Sequence, residues 1–142
     1  MTIAQALKEK NKKVAKIQKI WDRIQRYNSI QEGAERPYST AELFGQAHAE
    51  VGLLVELKTK IHEASSPVRA DIFALSEMKN FVQRVRSVNT TQGVHRDRYE
   101  STSSLMIAEL DIKWQDAKIE ELEEKIEKLQ EKLDQFNHTT HI

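Results

Sequence analysis

The sequence predicts a mainly α fold. It reads as a four-helix bundle forming one helical domain over 1–142, with long coiled-coil-like first and last helices and a short irregular or β segment near 100–109. Three observations predict it. Four stretches repeat apolar residues at spacings of three, four and seven, the period of one helix face. Only four Gly and two Pro interrupt 142 residues, which leaves room for long regular elements. Charged residues make up 31%, a share that suits helices with solvated faces.

The first helix is expected over 3–27. Ile3, Leu7, Val14, Ile17, Trp21 and Ile24 fall on one stripe, and Lys, Arg and Gln occupy most other positions. Residues 1–26 hold eight Lys/Arg against Glu9 and Asp22, a net +6. The connection "NSIQEGAERPYS" follows, broken by Asn28, Gly33 and Pro37. Ser39 with Glu42 has the spacing of a capping box, in which hydroxyl and carboxylate satisfy orphan N–H groups at a helix start. The second helix then runs from about 40 to 63, with Leu43, Ala47, Val51, Leu54, Leu57 and Ile61 as its buried face. Pro67 disfavours helix at Ser66 and ends it.

The third helix is expected from about 70 to 88, on Ile72, Leu75, Met78, Val82, Val85 and Val88. A polar stretch, "NTTQGVHRDRYESTSS", breaks the pattern at 89–104, and "SLMIAEL" after it reads as a strand or an irregular wall of the core. Asp111 suits the N-cap of a last helix over about 112–136. There Ile112, Ile119, Leu122, Ile126, Leu129, Leu133 and Phe136 follow a heptad seam, interrupted at Gln115. Eight acids against five Lys give this helix a net −3. Its acidic flanks complement the basic first helix, so these two are expected to pair within the chain or between subunits.

Net charge is zero, with Lys plus Arg and Asp plus Glu both 22. That argues against a general nucleic-acid or anionic-membrane binder, whose affinity rests on excess cations. No cysteine is present, so thiolate catalysis and Cys zinc sites are excluded. No stretch approaches the roughly 20 apolar residues of a membrane span. The N-terminus lacks the apolar core of a signal peptide, and the expected location is cytoplasmic. No phosphate loop or dinucleotide fingerprint occurs. The carboxylates of the last helix lie among lysines, without the burial that would tune a general acid or base. His138 and His141 stand three apart at the chain end, where helix termination with docking of Ile142 is expected in preference to metal binding. No catalytic residue, metal site or cofactor is expected.

One cluster invites a functional reading. Arg84, Arg86, Arg96 and Arg98 gather with His95 around the polar stretch, and Tyr99 adds a flat surface for stacking. Guanidinium forks hold carboxylate or phosphate bidentately. The plainer and favoured reading is that the arginines pair with acids of neighbouring helices and order the loop. The sharper one is a small anionic, nucleotide-like ligand or a subunit contact.

Several pieces together resemble the septicolysin-like family of small bacterial proteins. They are "MTIAQAL", "NSIQEG" with Gln31, Glu32 and Gly33, Arg98–Tyr99, and the closing helix ending in Asn137, Thr139 and Thr140. The sequence departs from that pattern at His138, where the family carries Trp, and at Ser101, Thr102, Ser103 and Ser104. The resemblance implies a helical, oligomeric protein and brings no proven activity. Its label suggests a pore-forming toxin. The expected function is therefore non-enzymatic: a homo-oligomer acting through protein–protein contact. An anionic-ligand module is the alternative, and pore formation is the least expected.

Overall fold

A computed structural model describes residues 1–96, 98 and 103–142. Four helices are present: α1 (Ile3–Tyr27), α2 (Thr40–Ala64), α3 (Arg69–Arg86) and α4 (Ile112–Thr139). A 3-10 turn, Ser66–Val68, precedes α3, so Pro67 does end α2. Strands β1 (Gly93–Arg96) and β2 (Ser103–Met106) pair antiparallel. The mainly α class holds, with long first and last helices. The segment expected near 100–109 is one strand of a small sheet whose other strand lies inside the stretch read as loop. The contacts gather into two compact units, Met1–Pro67 with Asp134–Ile142, and Val68–Leu133.

In the first unit α1 lies against α2. Ile20, Leu43 and Ala47 form a buried cluster, with Ile24 packed on it. Thr2 starts α1 through a reciprocal cap: its Oγ1 accepts from the Gln5 N–H at 3.3 Å, and Gln5 Oε1 accepts from the Thr2 N–H at 2.9 Å. Ser39 caps α2, accepting from the Glu42 N–H at 3.3 Å, which is the hydroxyl half of the expected capping box. Arg36 closes the far end of α1, donating to the carbonyls of Tyr27 and Asn28, each at 3.0 Å. The chain end docks on the chain start. The Ile3 N–H donates to Thr140 O at 2.9 Å, the Ile142 N–H donates to Met1 O at 3.1 Å, and Thr2 bridges His141. The basic face of α1 finds its acid on α2, where Glu50 accepts from Lys16 at 2.6 Å and Lys13 at 3.3 Å. Net charge names a sign and not a partner: the basic first helix was expected to complement the acidic last one, and within the chain Lys13 and Lys16 meet a carboxylate of α2.

In the second unit α3 packs on α4 through Val82, Val85 and Leu122, with Met78, Trp114, Ile119 and Ile126 against that cluster. Asp111 caps α4 by accepting from the Trp114 N–H at 2.8 Å. Gln115, the break in the heptad, is buried, and its amide donates to the carbonyls of Val85, Arg86 and Val88 at 2.9, 3.2 and 3.0 Å. It thus donates to carbonyls at and just beyond the C-terminus of α3, where a helix leaves acceptors short of donors; that of Val85 also accepts from the Val88 N–H. Lys132 binds Asp71 at 2.7 Å, and Arg86 forms an ion pair with Glu123. The sheet register pairs Gly93 with Met106, Val94 with Leu105, His95 with Ser104 and Arg96 with Ser103. Gly93 enters β1 at φ +99°, a left-handed conformation that glycine takes without steric cost.

Candidate functional site

The basic cluster expected around 84–102 is distributed over several places. Arg86 is spent on Glu123, which ties the end of α3 to α4. Arg96 stands exposed on β1, and Arg98 is exposed beyond it. His95 occupies the β1 position opposite Ser104. Tyr99 lies outside the described residues. Arg84 is exposed on the last turn of α3 and lines a cleft.

That cleft, about 390 Å³, opens between α3 and α4. Phe81, Val85, Val88, Trp114 and Leu122 supply its apolar wall, and Arg84, Lys118, Glu121 and Lys125 its charged rim. Glu121 accepts from Lys118 at 3.1 Å and from Lys125 at 3.3 Å. The hydrogen bond from Lys118, followed by that from Lys125, holds its carboxyl below the ordinary carboxylate value. The heptad seam runs past this place. Leu122 and Leu133 are buried, Ile119, Ile126, Leu129 and Phe136 are half-buried, and Ile112 is exposed. Part of the seam is therefore used within the chain, against α3.

A second cleft, about 330 Å³, lies at the end of α1, where the sequence gives no sign of one. The rings of Tyr27 and Tyr38 stand 5.5 Å apart, and the Arg23 guanidinium lies 4.8 Å from the Tyr38 centroid. Lys19, Asp22 and Arg26 complete its lining. Tyr38 is eleven residues beyond Tyr27 across an irregular connection, so nothing in the spacing joins them.

An exposed apolar stripe of the first unit lies on α2. Phe44, His48, Val51 and Val55 follow at steps of four, three and four, which sets them on one helical stripe. Phe44 is 55% exposed, Val51 41% and Val55 57%. Trp21 of α1 meets Phe44 edge-on at 6.1 Å, and the His48 ring lies 6.3 Å from Phe44. Val51 was expected on the buried face of α2. That face carries Leu43 and Ala47 buried, with Leu54, Leu57 and Ile61 half-buried, and Val51 turns outward with the second stripe. The apolar spacing of α2 supports two faces, and the sequence alone does not say which neighbour covers each.

Residues 8–142 match the model of a family described as "Family of unknown function (DUF6847)". No curated protein and no solved structure matches the chain. The septicolysin-like resemblance therefore has no named relative behind it.

Proposed function

The chain belongs to this family of unknown function, and on that premise we propose that it is a non-enzymatic helical protein that assembles with copies of itself through the outer stripe of α2. The stripe carries the proposal. A helix apolar on two faces belongs in an interior, and α1 covers only one of them. Polar His48 within the seam suits a register device, as single polar residues do in helical seams. A two-fold arrangement would set the stripe against itself.

A cytoplasmic setting belongs to the same proposal, supported by the lack of cysteine. Among the described residues no helix is long and apolar enough to cross a membrane. The pore-forming reading would thus draw on amphipathic elements after assembly, and it stands behind simple self-association.

Sedimentation of the wild type and of Val51→Glu/Val55→Glu tests this. The wild type should sediment as an oligomer and the double variant as a monomer with unchanged helical circular dichroism. A wild type that stays monomeric at high concentration, or a variant that sediments like the wild type, refutes the seam.

A further inference from the structure

The geometry points to the cleft between α3 and α4 as a binding site for a small amphipathic anion: an apolar body, aliphatic or aromatic, carrying one carboxylate. The cleft of about 390 Å³ sits near the lower end of the roughly 300–1,000 Å³ that small-molecule sites occupy. Its wall is apolar, with the rings of Phe81 and Trp114 among the lining, and Phe81 is 53% exposed. A large exposed aromatic beside a half-buried one offers area that water wets poorly and that an apolar body would cover.

Charge decides which apolar body fits. The rim holds three cations and one carboxylate, although α4 as a whole is acidic. Glu121 already engages both Lys118 and Lys125. Arg84 pairs with no carboxylate among the described residues, and its planar fork suits a carboxylate bidentately. A neutral ligand would leave that guanidinium unanswered, and a multiply charged one would meet the Glu121 carboxylate. A single anionic group placed at Arg84, with its apolar body toward Trp114, satisfies both constraints. This site is separate from the α2 stripe and does not depend on self-association.

The test uses monomeric decanoate and, as the neutral control, decanol, read by the fluorescence of Trp114 in a Trp21→Phe background. Decanoate should change the signal saturably and decanol should bind more weakly. Arg84→Gln should weaken decanoate about tenfold, the scale of one charge-assisted hydrogen bond. Glu121→Gln should tighten it, because two ammonium groups are released. Equal binding of decanoate and decanol, or unchanged binding in Arg84→Gln with circular dichroism intact, overturns the assignment. So does decanoate binding that appears only when Val51→Glu/Val55→Glu abolishes assembly, since the cleft is then a contact between copies. Binding to phosphatidylglycerol vesicles without binding to monomeric decanoate overturns it in favour of a lipid surface.

Discussion

Replacing Gln115 tests how α3 and α4 are joined. The residue is 7% exposed, and its amide nitrogen lies within 3.2 Å of the carbonyl oxygens of Val85, Arg86 and Val88. An amide carries two N–H groups, so three acceptors share two hydrogens. Gln115→Ala removes two net hydrogen bonds at about 1 kcal/mol each and the burial of one methylene at up to about 0.8 kcal/mol, about 3 kcal/mol in all. For a chain of this size that corresponds to a melting temperature lower by about 6–12 °C. Gln115→Glu keeps the shape but sets a carboxylate against three carbonyl oxygens at the negative end of α3, and should cost more at neutral pH. The surroundings would raise that carboxyl's folded-state pKa above its unfolded value of about 4.3. A raised carboxyl pKa means the penalty is complete above the folded value and disappears below the unfolded one. Gln115→Glu should therefore recover toward the wild type as pH falls from neutral to about 4. Thermal melts by circular dichroism at fixed protomer concentration read both effects. A Gln115→Ala melt within about 2 °C of the wild type, or a Gln115→Glu deficit independent of pH, would refute the reasoning.

Two further substitutions probe other joints. Glu50 is held below the ordinary carboxylate value by its hydrogen bond to Lys16, against the opposing effect of burial, with Lys13 adding to the depression. A depressed carboxyl stabilises the fold above its unfolded pKa and loses that contribution as pH falls through the folded value, so Glu50→Gln should flatten the acid limb of a stability–pH profile below about pH 4.5. An acid limb with the wild-type slope would count against the α1–α2 pairing as its source. Gly93→Ala meets no atom within 4 Å, so its cost is conformational, about 1–2 kcal/mol at φ +99°. Amides of β1 and β2 should exchange faster with solvent while those of α1 and α2 keep their rates; uniform acceleration would show that the sheet is not a local unit.

The helices were legible because their periodicity is long and their caps are chemical. Ser39 and Asp111 both accept the N–H groups expected of them. The first strand was not legible. "GVHR" offers one apolar residue, and its pairing with "SSLM" rests on backbone groups that side-chain patterning does not report. The interruption at Gln115 looked like a flaw in a seam, yet it is where α4 answers the carbonyls of α3. An i, i+7 pattern identifies the polar position; only the packed partner shows what it satisfies. The same limit applies to the candidate site. Arg84 could be singled out as a cation near a helix end, but Trp114, Lys118 and Lys125 join it through helix packing, some thirty to forty residues away in sequence.

Salt separates the two proposed surfaces because they rest on different physics. The α2 stripe presents Phe44, Val51 and Val55, so its burial is driven by water and not by ion pairing. Sulfate, excluded from protein surface, should strengthen assembly through it. Net charge is zero, so added salt relieves no overall repulsion that could imitate that strengthening. Decanoate at Arg84 depends instead on an exposed ion pair, and exposed charges are screened beyond about 8 Å at physiological ionic strength. Raising sodium chloride should therefore weaken decanoate binding while the sedimentation coefficient holds. If the oligomer dissociates instead, charges such as those along the basic face of α1 hold the copies together, and the stripe is not the contact. If decanoate binding is insensitive to salt, the apolar wall alone carries it, and Arg84 has lost its role.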